Sequence, residues 1–168
     1  ARRIGLADGD LARVASRHGA AVLEVVIDPA QVPGRLFAPI HWSGETASDA
    51  RIGAVVHADL DPFSGQPDLK ATPVSLAAVP AARRGFVLSR RPLALPGGVW
   101  WARVAVEGGT GTLLATDRPL TEMIPAVRDA LGSAPASVLD DPARDLWRAA
   151  WFTDGRLDAV CFLGPAGD

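Results

Sequence analysis

The sequence predicts a mainly β protein, in which a closed β-barrel is followed by a small α+β part. In the first half, short apolar runs are separated by turns rich in Gly and Pro. This arrangement is typical of barrels rather than of parallel sheets with crossover helices. In the second half, further short strands surround one stretch with helical apolar spacing, which begins at Thr121-Glu122.

Local residue patterns predict the turns, the helix end, the linker and the strands of each half. His18-Gly19 and Thr153-Asp154-Gly155 are turn sequences that indicate two hairpins. Gly132 is expected to end the helix, and residues 80–84 read as a linker, which gives domains 1–80 and 81–168. The predicted strands are residues 11–17, 20–27, 35–40, 51–56, 73–79, 85–89, 99–106, 111–116, 146–152 and 156–163.

Composition limits the function classes. The chain has 168 residues, of which 48% are apolar, so it can bury a core. No apolar run approaches the roughly 18 residues needed to cross a bilayer, and no signal-peptide pattern is present, so no membrane contact is predicted. The net charge of −2 argues against a nucleic-acid surface. Because Ala1 is followed by Arg2-Arg3, the chain is expected to begin inside a longer protein.

The single cysteine, Cys161, excludes an internal disulfide and a cysteine-ligated iron–sulfur cluster within this chain. It is expected to be a small buried hydrophobic residue rather than a nucleophile. A reducing compartment, the cytoplasm, is therefore predicted. The three histidines lack ligand spacing, so no metal-binding residue is predicted. No catalytic residue is predicted either.

The longest polar, turn-rich segment is the loop of residues 61–70, between two apolar runs. Pro62 and Pro67 restrict its backbone, so it is expected to be pre-shaped. The side chains of Gln66, Asp68 and Lys70 suit a ligand with phosphates and a heterocycle edge. The alternative is a solvated connection between strands.

Several motifs occur in order along the chain and together resemble one family. They are Leu6-Ala7-Asp8-Gly9-Asp10, Pro39-Ile40-His41-Trp42, the loop of residues 61–70, Gly85-Phe86-Val87-Leu88-Ser89-Arg90, Trp101-Ala102-Arg103 and the closing Asp154-Gly155-Arg156-Leu157 with Cys161-Phe162-Leu163. The first three resemble the C-terminal dinucleotide-binding domain of molybdopterin oxidoreductases. The whole set is most similar to the C-terminal part of bacterial assimilatory nitrate reductase catalytic subunits.

This resemblance implies a double-psi β-barrel (aspartate-decarboxylase-like) for residues 1–80, which would bind molybdopterin guanine dinucleotide. The family reduces nitrate to nitrite at molybdenum, with an iron–sulfur cluster; both would be ligated by the missing parent region. The partners implied are the remaining parent domains and a reductase or ferredoxin donor. Gly53 and His57 stand where the family commonly has Asn. His57 could replace Asn as a donor, although a surface histidine is the commoner outcome. The residues implied at the cofactor surface are His41, Trp42, Gln66, Pro67, Asp68 and Lys70.

Other interpretations stay open. His41 could instead be a capping residue, and Trp42 could serve packing. A pyruvoyl decarboxylase would need a self-cleaving Gly-Ser, and Gly132-Ser133 lies outside the expected barrel. The second half could also be an interaction domain that docks an electron-donor subunit, and an exposed apolar patch within residues 85–163 would favour this alternative.

Overall fold

The protein is described by a computed structural model that covers residues 4–68 and 70–167. The chain forms two compact units, Ala1–Val79 and Pro80–Asp168. Strands dominate in the described residues, which contain one α-helix. The mainly β prediction is confirmed.

The first unit contains a three-stranded antiparallel sheet. Its strands are β1 (Leu11–Ala15), β2 (Ala20–Glu24) and β3 (Ser75–Val79), in the order β2-β1-β3. The hairpin of β1 and β2 is confirmed, with Ala15 opposite Ala20. The described residues form an open sheet here, and the double-psi barrel stays a prediction.

Two predicted strands of the first unit are wrong. Residues 35–40 form no strand; Pro33 and Pro39 lack the N–H that a ladder needs, and Arg35 N closes a turn by donating to Val32 O at 3.1 Å. Residues 51–56 contain a short 3-10 helix, Ile52–Ala54. Ile52 and Val55 are both buried in the core. A strand would place residues three apart on opposite faces, whereas a helical turn places them on one face.

The second unit is a six-stranded antiparallel sheet with one helix, α1 (Leu120–Leu131). The strand order is β5-β6-β4-β9-β8-β7. The predicted helix and the hairpin of β8 and β9 are confirmed, and Asp154 and Gly155 have the positive φ values that a tight hairpin turn requires. The sequence did not predict β7. The strands are β4 (Arg83–Ser89), β5 (Trp100–Val106), β6 (Gly109–Thr116), β7 (Ser137–Asp141), β8 (Leu146–Thr153) and β9 (Arg156–Pro165).

The core of the second unit lies between α1 and one face of this sheet. Met123 and Val127 of the helix are buried against Trp147, Trp151 and Cys161. The two indole rings meet edge to face at 6.0 Å. Burial raises the pKa of the Cys161 thiol to about 12. A thiol that stays protonated at neutral pH is a poor nucleophile, as the sequence predicted.

Candidate functional site

The loop that the sequence singled out is closed by its own backbone. Leu60 and Pro67 form an antiparallel bridge. Asp61 N donates to Gln66 O at 2.8 Å, and Asp68 N donates to Asp59 O at 3.0 Å. Residues 59–68 therefore form a short hairpin, which we call the Asp59 loop. These internal hydrogen bonds fix the backbone from which its polar side chains project.

Asp61 fixes the tip of the Asp59 loop. Its Oδ1 atom accepts from Ser64 N at 2.7 Å, Ser64 Oγ at 2.9 Å and Phe63 N at 3.0 Å. The hydrogen bonds from the Ser64 backbone and hydroxyl, and then that from Phe63, lower the pKa of Asp61. The tip therefore carries a full negative charge at neutral pH.

His57 lies at the base of the Asp59 loop, and only 13% of its side chain is exposed. Its Nδ1 atom is 3.1 Å from Asp59 Oδ2. Its Nε2 atom is 3.3 Å from Lys70 O and 3.9 Å from Asp68 Oδ2. The sequence favoured a surface histidine at this position. The sequence signal for this arrangement is the pair Asp59 and Asp68, one on each side of the turn, because both can reach a histidine at the base of the loop.

The Asp59 loop surrounds a surface hollow of about 480 Å³. Asp59, Asp61 and Asp68 contribute three carboxylates, and Gln66 contributes an amide. The remaining lining residues are Leu60, Ser64 and Pro67. Acceptors outnumber donors in this lining, so the hollow suits a ligand edge that donates hydrogen bonds.

The structure brings together only part of the predicted site. Gln66, Pro67 and Asp68 line the same hollow. Lys70 is exposed just beyond it, and its backbone N donates to Asp68 Oδ1 at 3.0 Å. Leu69 lies outside the described residues.

His41 lies in a separate turn and is exposed, and Trp42, which directly follows this turn, is half-buried. Across residues 4–68 and 70–167, no hydrogen bond, ion pair or ring contact joins either of them to the Asp59 loop. In the same residues, no group of three or more His, Cys, Asp and Glu side chains could hold a metal ion.

The chain is similar in sequence to one protein family and to two nitrate reductases. Residues 1–73 match the family described as Molydopterin dinucleotide binding domain. The chain is 41% identical over 117 residues to a nitrate reductase of Klebsiella oxytoca, across 70% of this chain. This chain is related to the molybdopterin nitrate reductases. The resemblance to molybdopterin nitrate reductases predicted from the motifs is thus confirmed, and the assimilatory branch stays a prediction.

A nitrate reductase of Synechocystis is 41% identical over 64 residues, which make up 38% of this chain. The matched segments represent 14% of the Klebsiella protein and 9% of the Synechocystis protein. No solved structure matches the chain significantly. The whole of the Asp59 loop and Lys70 lie inside the segment that matches the dinucleotide-binding family.

Proposed function

We propose that this chain is the C-terminal cofactor-binding portion of a longer molybdenum enzyme, the parent enzyme, which reduces nitrate to nitrite. Residues 1–80 would complete a double-psi β-barrel that closes over molybdopterin guanine dinucleotide, and residues 81–168 would form the small α+β subdomain. The observation that carries the proposal is the pre-shaped polar hollow of the Asp59 loop, which lies within the matched segment. When bound, the cofactor supplies the redox chemistry, and the protein supplies position and electrostatics.

The donor set of the hollow fits one end of this cofactor. Guanine presents N–H and NH₂ donors along one edge, and the carboxylates of Asp59, Asp61 and Asp68 can accept from them. A phosphate placed among three carboxylates would be repelled. We therefore place the guanine edge at Gln66 and Asp68, and a phosphate or pterin oxygen at Lys70, which is the only lysine of the chain.

His41 and Trp42 complete the proposed cofactor surface from their own segment. The exposed imidazole of His41 can donate to a phosphate or a pterin oxygen. The half-buried indole of Trp42 can cover an apolar ring face while its N–H stays available. Both residues would act by binding and orienting the cofactor. Pro67 contributes by fixing the backbone between Gln66 and Asp68.

The remaining parts of the proposal concern the parent enzyme. Its other domains would ligate the molybdenum and an iron–sulfur cluster, and a reductase or ferredoxin would supply electrons. We place it in the cytoplasm, in nitrate assimilation. None of the helices within the described residues has the length and apolar character to span a bilayer.

The test is made on the purified parent enzyme. We expect it to contain molybdenum, to release guanine nucleotide on acid hydrolysis, and to reduce nitrate with reduced viologen as the electron donor. Cytosine nucleotide in place of guanine nucleotide would contradict the placement of the guanine edge in the hollow. An enzyme loaded with molybdenum and guanine nucleotide that leaves nitrate unchanged would contradict the proposed substrate.

A second candidate function is favoured by the face of the six-stranded sheet opposite α1. One row of paired residues crosses all six strands on this face: Ala102, Leu113, Phe86, Phe162, Arg148 and Leu139. Phe86 stacks on Phe162 with ring centroids 4.7 Å apart, and the Arg148 guanidinium lies 5.4 Å from the Phe162 ring. Leu113 is 42% exposed. We propose that this sheet face docks an acidic electron donor of the ferredoxin class, because it combines apolar area with an exposed arginine.

Leu113→Asp in the parent enzyme tests this docking surface. We expect the rate with the protein donor to fall about tenfold or more. The substitution removes an apolar side chain from the interface, and it adds a negative charge that repels the acidic donor. The rate with reduced viologen should stay unchanged, since viologen needs no docking face. Val138→Asp is the matched control: Val138 is 44% exposed and pairs with Ala149, on the helix side of the sheet. Equal rates for both variants with the protein donor would contradict the docking role.

A further inference from the structure

We propose that His57 is the positioning residue of the dinucleotide site, which holds Gln66, Asp68 and Lys70 in the arrangement that receives the cofactor. This inference rests on the proposed function, and it assigns to one histidine the task of fixing the loop.

The first step of the argument is the connection that His57 makes. Its ring lies beside Asp59, at the start of the Asp59 loop, and beside Lys70, two residues beyond its end. Nε2 is within hydrogen-bond distance of Lys70 O, at 3.3 Å, whereas Nδ1 is 3.1 Å from Asp59 Oδ2, an ion-pair distance without hydrogen-bond geometry. Lys70 is thirteen residues further along the chain than His57. A single side chain therefore ties together the start and the end of the segment that carries the proposed ligand contacts.

The second step is the effect on Asp68 and Lys70. Asp68 Oδ2 is 3.9 Å from the same Nε2 atom, and Asp68 Oδ1 accepts from Lys70 N at 3.0 Å. The backbone of Lys70 is thus held through both its N–H and its C=O group. Because Lys70 has four side-chain carbons between backbone and ammonium, fixing its backbone limits the region that the ammonium can reach.

The third step is the anchoring of His57 itself. Its side chain is 13% exposed, and its backbone N donates to Thr72 Oγ1 at 3.4 Å. The residue two positions before it, Val55, is buried in the core of the first unit. The histidine therefore connects the Asp59 loop to the packed part of the unit. Without the ring, the backbone hydrogen bonds from Asp61 N to Gln66 O and from Asp68 N to Asp59 O would still shape the loop. Among the described residues, however, no other hydrogen bond would link Lys70 O to the base of the loop.

The geometry also defines what a replacement must do. An acceptor lies near each ring nitrogen, a carboxylate near Nδ1 and a carbonyl near Nε2, and a neutral imidazole, which has one N–H group, can donate to one of them. An alanine side chain has no donor and cannot form a hydrogen bond with either acceptor. An asparagine or glutamine amide can donate to one of them, so it should restore part of the effect.

The experiment compares His57→Ala, His57→Asn and His57→Gln with wild type in the parent enzyme, by hydrogen exchange and by retention of guanine dinucleotide. For His57→Ala we expect the amides of Asp68 and Lys70 to exchange about two- to tenfold faster, as for the loss of one hydrogen bond to a neutral carbonyl. Amides of β1 and β2 should keep their wild-type rates. The cofactor should dissociate faster by a similar factor. The amide variants should lie between alanine and wild type.

His18→Ala is the matched control, because His18 is exposed and its ring accepts only from Arg17 Nε among the described residues, at 3.0 Å. Wild-type exchange of the loop amides in all three His57 variants would overturn the inference. So would faster loop exchange with unchanged cofactor retention, if Lys70→Ala does release the cofactor. If Lys70→Ala, Gln66→Ala and the His57 variants all retain the cofactor, the proposed function itself fails.

Discussion

The parent enzyme carrying both Lys70→Ala and Gln66→Ala is expected to lose most of its guanine dinucleotide, and its nitrate reduction with it. Lys70 is the proposed phosphate or pterin contact, and Gln66 lines the acceptor-rich hollow. A hydrogen bond to a charged group is worth about 1.5–3 kcal/mol, so losing the Lys70 contact alone should weaken binding by roughly one to two orders of magnitude. Molybdenum content, released nucleotide and viologen-driven activity measure the effect together.

The control for this double variant is Arg13→Ala with Gln31→Ala. Both residues are exposed in the first unit, and neither lines the hollow. We expect normal loading and activity for the control. If the Lys70 and Gln66 double variant also showed full loading and normal activity, the Asp59 loop would be a structural connection, and the docking function of the second unit would become the stronger proposal.

Gly85→Ala is expected to destabilise the second unit strongly. A Cβ atom at position 85 would lie 2.1 Å from Phe162 O and 2.7 Å from a Leu163 methyl carbon. Gly85 faces Leu163 across β4 and β9, so relief would require these two central strands to separate. Overpacking of this kind costs about 1–3 kcal/mol or more. For a domain of 60–100 residues, each kcal/mol lowers the melting temperature by about 4–8 °C.

Thermal unfolding followed by tryptophan fluorescence measures this change, because Trp147 and Trp151 lie in the core of the same unit. Gly164→Ala is the matched control. Gly164 lies on the neighbouring strand opposite Arg84, and a Cβ there would meet nothing within 4 Å. We expect the control to melt near the wild-type temperature. Equal melting temperatures for the two variants would show that β4 and β9 can adjust to the added methyl group.

Local signals in the sequence were sufficient for part of the site. Gln66, Pro67 and Asp68 follow each other in one turn-rich segment, so the chain itself keeps them together, and they do line one hollow. The sequence did not reveal that three aspartates would converge there, nor that His57 would be mostly buried at the base of the loop. These features depend on which residues fold back onto each other, which spacing along the chain does not determine.

The same distinction applies to the fold. The Asp154-Gly155 turn, the amphipathic helix and the strands β1, β4, β6 and β9 carry local patterns that a residue and its near neighbours determine, and each was predicted from the sequence. Residues 51–56 and 137–141 carry no local pattern that predicts the structure they form. Ile52 and Val55 form a helical turn because the core of the first unit buries both on one side, and Ser137–Asp141 becomes a strand because β8 offers it an edge to pair with. The sequence alone determined the local turns, the helix and the family, whereas burial and strand partners were decided only in the tertiary structure, since they depend on contacts between distant residues.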